Sequence, residues 1–297
     1  MSANAFGEYD LMKSTEDNYA SCDLKFYGEF AGLRERVDYS HHNNYIMKRQ
    51  IFQDTIINEF LNSVGTKSTQ PWMVFTAGAM GVGKGYTMGK LLEKGHFPLH
   101  TFIHVDPDEI RNRLPEFQCY VKENPEFAGQ MTQKEAGFIA DIISMAGLQA
   151  GKNVLVDGTL RDAEWYQLHL KQLRNDFPAL RLSILYVTAP RDEVFERVQQ
   201  RALVTGRLVP KQTLLEALEA VPKSVQILAP YVDYYAELKN ETRLRRQSIQ
   251  LETPGETREQ FRSRWVSGSR LRRQSIQLVT TGETWENFRA QWVPACA

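Results

Sequence analysis

The run Val74-Phe-Thr-Ala-Gly78-Ala-Met-Gly81-Val-Gly83-Lys84-Gly85-Tyr86-Thr87 constrains the fold of this chain more than any other stretch. An apolar segment enters a glycine-rich loop, and a helix-forming segment follows the lysine. The loop carries GxxxxGK with one extra glycine, in the strand–loop–helix context that the pattern requires. Glycines let the backbone wrap closely round phosphates and aim its N–H groups inward. The helix that follows adds the positive end of its dipole. Lys84 can then neutralise the terminal phosphates of ATP or GTP. Gly78, Gly81, Val82, Gly83, Lys84, Gly85, Tyr86 and Thr87 are therefore the expected nucleotide-binding residues.

One position departs from the usual pattern. Gly85 stands where the Ser or Thr that holds Mg2+ is commonly found. The Gly-Lys-Gly form resembles adenylate-kinase-type loops, in which magnesium is held mainly through water. Thr87, or a carboxylate from another strand, is the expected substitute.

Downstream, short apolar runs alternate with helical periodicity. Strands are expected at 72–76, 101–105, 153–156 and 182–187. Helices are expected near 84–94, 108–114, 133–150, 162–174, 191–203, 211–220 and 223–238. Such alternation predicts an α/β fold, a P-loop NTPase-type parallel sheet flanked by helices. Ligands then sit beyond the carboxyl ends of the strands, where Gly78, Asp106 and Asp157 fall. The expected organisation is an N-terminal helical extension (1–70), a P-loop domain (71–240) and a C-terminal extension (241–297). Within the first, residues 1 to about 20 read as a loose leader. Ile46, Phe52, Ile56, Ile57, Phe60 and Leu61 predict an amphipathic helix. The adjacent His41 and His42 have no further ligands nearby in sequence and read as surface.

After the second strand comes Asp106-Pro-Asp108-Glu-Ile-Arg111, with Pro115-Glu-Phe117 close behind. Two carboxylates at a strand end suit phosphoryl transfer, one organising metal and the other accepting a hydroxyl proton. Asp-Pro-Asp-Glu is also a good helix start, and spacing alone leaves the two readings level. The order of strand, phosphate loop, Asp-x-Asp-x-x-Arg with Pro-x-Phe, and Asp157-Gly158-Thr159-Leu-Arg161 resembles the zeta toxin family of P-loop kinases. The likeness covers roughly 72–238. It implies a kinase that phosphorylates a hydroxyl of a nucleotide-sugar, UDP-N-acetylglucosamine in the bacterial members. By position it implies Asp108 as catalytic base, and Asp141, Thr159 and Arg161 as substrate contacts. Asp106 and Asp157 are the metal candidates, Asp157 in a Walker-B-like role on water-bound magnesium. The segment 191–210 resembles the lid of this group, which adds Arg201 and Arg207 beside Lys84 as catalytic cations.

The tail holds an internal repeat. Arg-Leu-Arg-Arg-Gln-Ser-Ile-Gln-Leu at 243–251 recurs at 270–278, a shift of 27 residues. Phe261 with Trp265, and Phe288 with Trp292, give each copy an aromatic i,i+4 stripe. Two copies are too few to stand alone, so they are expected to pair together or lean on the main domain. Ser248 and Ser275 follow Arg-Arg-x, a pattern favoured by basic-directed protein kinases. The plainer reading of Gln-Ser-Ile-Gln-Leu is a strand with its arginines in solvent.

Composition excludes several classes. The formal net charge is zero, although from Glu241 onward ten Lys/Arg face six Asp/Glu. That balance gives no strong nucleic-acid or membrane signal. Three scattered cysteines fit a reducing compartment, and the expected location is cytoplasmic. Two classes of function stand at this point. One is a phosphotransferase on a small-molecule hydroxyl, or on a nucleoside or polynucleotide. The other is a nucleotide-dependent switch whose tail binds a protein partner.

Overall fold

The computed structural model describes residues 9–62, 67–206, 208–243, 246–251 and 278–282. Its main helices are α1 (Met47–Leu61), α2 (Lys84–Glu93), α3 (Pro107–Arg113), α4 (Gln133–Gln149), α5 (Ala163–Asp176), α6 (Arg191–Thr205) and α7 (Lys211–Leu228). Its main strands are β1 (Trp72–Ala77), β2 (Phe102–Val105), β3 (Asn153–Asp157), β4 (Arg181–Thr188), β5 (Tyr234–Arg243), β6 (Arg246–Leu251) and β7 (Leu278–Gly282). Parallel strands flanked by helices make this an α/β fold of P-loop NTPase type, as the alternation predicts. The chain divides into two compact units.

The first unit comprises Met1–Pro71, Thr101–Asp157 and Gln199–Lys211. Here β2 and β3 run parallel, from Phe102 opposite Asn153 to Val105 opposite Val156. Between them in sequence, α4 buries Phe138, Ile139, Ile142, Ile143 and Leu148. Gly147 lets that helix lie close to the strands, since a Cβ there would stand 2.8 Å from Ile103 Cδ1.

The predicted N-terminal helix exists as α1, but its buried face is not the simple apolar one. Ile46 is exposed, while Arg49, Gln50, Gln53 and Asp54 are buried beside Ile56, Ile57 and Phe60. The charged groups among them pair with opposite charge, as burial requires. Arg49 Nε donates to Glu135 at 2.6 Å and its Nη1 to Glu116 at 3.0 Å. The hydroxyl of Tyr19 donates to Glu116 at 2.6 Å, and Gln53 donates to Glu135 at 2.9 Å. Arg34 and Asp54 form a second buried pair at 2.6 Å. The stretch read as a loose leader already contains a short helix, Thr15–Tyr19, capped by Ser14.

The second unit comprises Trp72–His100, Gly158–Val198 and Gln212–Ala297. In it β1 pairs in parallel with β4, from Trp72 opposite Arg181 to Ala77 opposite Tyr186. β4 pairs in parallel with β5 as far as Thr188 opposite Lys239. All six residues of β1 are buried, which fits its near-continuous apolar run.

One predicted helix is corrected here. Residues 211–228 form a single helix with Pro222 inside it, and 234–243 form strand β5 rather than the end of a helix at 223–238. From Tyr234 to Asn240 burial alternates residue by residue, the period of a strand. The tail then leans on this strand. β6, from the first copy of the repeat, runs antiparallel to β5 from Leu238 opposite Leu251 to Arg243 opposite Arg246. β7, which begins at the last residue of the second copy, pairs antiparallel with the other half of β5. Ser248 thus lies in a strand, in register with Glu241. Ser275 and the aromatic pairs 261/265 and 288/292 lie outside the described residues.

Candidate active site

In the second unit the phosphate loop follows the last residue of β1. Gly81 and Gly83 take left-handed backbone, φ +85° and +86°, which other residues adopt only at a cost. Space forbids a side chain at both. A Cβ on Gly81 would lie 2.8 Å from the Val194 carbonyl, and one on Gly83 would lie 2.3 Å from Asn240 Nδ2. Gly85 is different, because a Cβ there meets nothing within 4 Å among the described residues. The missing hydroxyl at this position is therefore not forced by packing.

Lys84 opens α2 and folds back over the loop, donating to the Gly78 carbonyl at 3.2 Å. At the loop entrance the Gly78 N–H donates to the Thr159 carbonyl at 3.3 Å. Thr159 is thus anchored through its main chain, and the next residue, buried Leu160, has φ +54°. That strained turn leaves Arg161 exposed. Tyr86 is partly exposed, whereas Thr87 is fully buried, its hydroxyl without a hydrogen-bond partner among the described residues. The outer carbonyl of the loop, that of Val82, accepts from Asn240 Nδ2 at 2.8 Å and Arg197 Nη1 at 3.3 Å.

In the first unit the carboxylates gather at the ends of β2 and β3. Asp106 caps α3, accepting from the Asp108 N–H at 2.8 Å, with Pro107 in the first helical turn. Asp157 ends the neighbouring strand, one residue beyond Val156 opposite Val105. Burial first, and the charge of Asp157 second, hold the Asp106 carboxyl above the usual carboxylate range; the Asp108 N–H partly offsets this. Asp108 is gripped from two sides. Its Oδ1 accepts from Arg111 at 2.5 Å and its Oδ2 from Arg201 at 2.9 Å. Arg207 lies outside the described residues.

Asp141, half-buried on α4, accepts from His42 Nε2 at 3.1 Å. His42 is therefore not a surface residue, since it is 5% exposed and packs edge-on against Phe138. Its sequence neighbours gave no sign of this, because its partner lies 99 residues away. Asn240 and Arg197 also escape sequence reasoning, since neither belongs to the loop motif.

The carboxylate pair is an oxygen-donor set, which suits hard divalent cations. Among the described residues no three His, Cys, Asp or Glu gather closely enough to hold a metal by themselves. Asp106 and Asp157 supply oxygen donors of the kind a hard divalent cation such as magnesium takes alongside waters and phosphate oxygens.

The zeta toxin family model matches residues 58–249. No curated protein matches the sequence. Among solved structures, the chain is similar to one from the PezAT chromosomal toxin–antitoxin system of Streptococcus pneumoniae. That likeness has TM-score 0.52 and 17% identity, over 66% of this chain and 78% of the other. It is also similar to the AvrRxo1-ORF1:ORF2 complex in its native form, with TM-score 0.53 and 16% identity. The same complex with ATP gives 0.52 and 15%. Both of these comparisons cover 80% of this chain and 76% of the other. At these identities the likeness is one of fold.

Proposed function

The chain belongs to the zeta toxin family, and on that premise we propose that it is a P-loop kinase transferring the γ-phosphoryl group of ATP to a hydroxyl of a small molecule. The observation that carries the proposal is Asp108, a carboxylate at a strand end held by Arg111 and Arg201. A nucleotide switch needs the phosphate loop but has no use for a hydroxyl-directed base paired with arginines. ATP is the preferred donor, supported by the ATP-bound AvrRxo1 complex. A nucleotide-sugar such as UDP-N-acetylglucosamine is the first acceptor to try, on the family resemblance.

In this reading Gly78, Gly81–Gly85 and Lys84 hold the nucleotide phosphates. Asp108 accepts the proton of the acceptor hydroxyl. The acceptor oxygen bonds to the γ-phosphorus as the bond to the β–γ bridging oxygen breaks, and ADP leaves. Arg201, with Arg207, balances the charge on the moving group, and Asp141, Thr159 and Arg161 place the acceptor. Asp106 and Asp157 would hold magnesium, which when bound supplies positive charge to the phosphate oxygens. The two carboxylates suit a largely water-mediated hold, given Gly85 and the buried Thr87.

We also propose a protein partner, since one similar structure comes from a toxin–antitoxin system and the other is a two-protein complex. We propose a cytoplasmic location, which the three scattered cysteines support. Among the described residues, no helix is long and apolar enough to cross a membrane.

Labelled ATP offered with a panel of nucleotide-sugars, nucleosides and oligonucleotides tests the reading. Asp108→Asn should bind ATP as the wild type does and lose about 10²- to 10⁴-fold in transfer, the usual contribution of a positioned base. Transfer at the wild-type rate would remove Asp108 from the mechanism. If no acceptor is labelled and only partner binding responds to ATP, the switch is the better account.

A further inference from the structure

We infer that Asn240 is a positioning residue for the phosphate loop, and that the first copy of the tail repeat is the brace holding it there. The inference rests on the reading that the loop binds a triphosphate. Asn240 lies in the inward row of β5 and is 1% exposed. A carbonyl can only accept, so the amide must present its nitrogen to the Val82 oxygen, at 2.8 Å. The amide oxygen meanwhile has no hydrogen-bond partner among the described residues. An inward strand position normally takes an apolar side chain, and a buried acceptor left unanswered is costly. What this position gains from asparagine is its donor.

That donor controls direction. The described chain contains no cis peptide, and a trans peptide points its N–H opposite its C=O. Fixing the Val82 carbonyl on Asn240 therefore fixes where the Gly83 N–H points, one of the donors that a phosphate-cradling loop uses. The fit is reciprocal, because any side chain on Gly83 would strike Asn240 Nδ2. Arg197 donates to the same carbonyl at a longer 3.3 Å and is the weaker holder.

The brace follows from register. The parallel pairing of β5 with β4 ends at Lys239, one residue before Asn240. On the other side Asn240 lies opposite Ile249 of β6, within the repeated Arg-Arg-Gln-Ser-Ile-Gln-Leu phrase. Among the described residues, β6 is thus the strand partner at the level of Asn240. The repeat acquires a role in the nucleotide site without touching the nucleotide.

The test uses the full chain with inorganic tripolyphosphate and ATP, titrated by calorimetry, and thermal unfolding of the ligand-free protein. Asn240→Leu keeps size and burial but loses the donor. It should weaken both ligands roughly ten- to a hundredfold, the scale expected when a positioned group shifts, and leave the unfolding midpoint near wild type. A paired Ile249→Pro/Gln250→Pro variant should reproduce the loss. Successive N–H groups of a strand point to opposite sides, so one of the two prolines must remove a donor facing β5. Wild-type affinity in Asn240→Leu, or a lowered midpoint with unchanged affinity, overturns the positioning role. Loss in Asn240→Leu but not in the paired proline variant overturns the brace. Should the wild type itself bind neither ligand, the nucleotide reading falls and takes the inference with it.

Discussion

Two arginines hold Asp108, and they differ in kind. Arg111 sits three residues away on the same helix with its side chain almost buried, so it fixes the carboxylate locally. Arg201 reaches Asp108 from 93 residues away, with its side chain 60% exposed. An exposed pair of this sort contributes only about 0–1 kcal/mol to stability. Arg201→Ala should therefore unfold at the wild-type denaturant midpoint yet transfer phosphate at least roughly tenfold more slowly, with Arg201→Lys restoring part, because a point charge replaces a planar fork. An altered midpoint with full activity would make Arg201 structural. His42 poses the same question for Asp141. If it orients a carboxylate that binds the acceptor, His42→Ala should raise KM for the acceptor several-fold while KM for ATP holds. Equal KM values in variant and wild type would reduce the histidine to packing.

At the level of elements, the proposed metal carboxylates stand at the carboxyl ends of β2 and β3, where Asp106 is held above the ordinary carboxylate value of 3.8. The sign for stability follows from proton counts. Between 3.8 and the raised folded value the folded chain binds more protons than the unfolded one, so stability falls as pH rises through that window. Above it, ionised Asp106 is a net cost. Asp106→Asn keeps an oxygen for the Asp108 N–H and removes that cost. The variant should unfold at higher denaturant than wild type at neutral pH, with the advantage shrinking as pH is lowered toward 3.8, and added magnesium should raise only the wild type. Equal curves at neutral pH would mean that the carboxyl carries no strain.

These strand ends were legible in the sequence, because an apolar run stopping at a glycine or aspartate is a local signal. The identity of β5 was not. Val225, Leu228, Val232, Tyr235 and Leu238 recur at three and four residues and imitate a helix. The true period of two places Tyr234, Ala236, Leu238 and Asn240 inward. A polar residue in that row obscures the alternation, and it is the same residue that reaches the phosphate loop. Arg197 and His42 were hidden for a related reason, since their partners are distant in sequence.

For the molecule as a whole, the first 71 residues belong to the same compact unit as the carboxylate-bearing strands, and a buried ionic network joins Arg49 of the first segment to Glu116 and Glu135 of the second. Arg49, with no exposed side-chain surface, serves Glu116 and Glu135 at once; Tyr19 and Gln53 donate to the same Oε1 atoms of those carboxylates. A buried network of this kind is strong evidence of interdependence and weak evidence of net stabilisation, because each charge was taken from water. Removing one member is the informative change. Arg49→Ala would leave two carboxylates buried without their cation, which typically costs about 3–5 kcal/mol. Urea unfolding monitored by tryptophan fluorescence should show the unfolding free energy lowered by that amount, and the midpoint lowered with it. The same variant should lose phosphoryl transfer, since Glu116 follows α3 within the segment that carries Asp108. Unchanged stability would show that water enters this region freely and that the N-terminal segment is an accessory to the carboxylate unit; a lowered midpoint makes the segment part of the kinase itself.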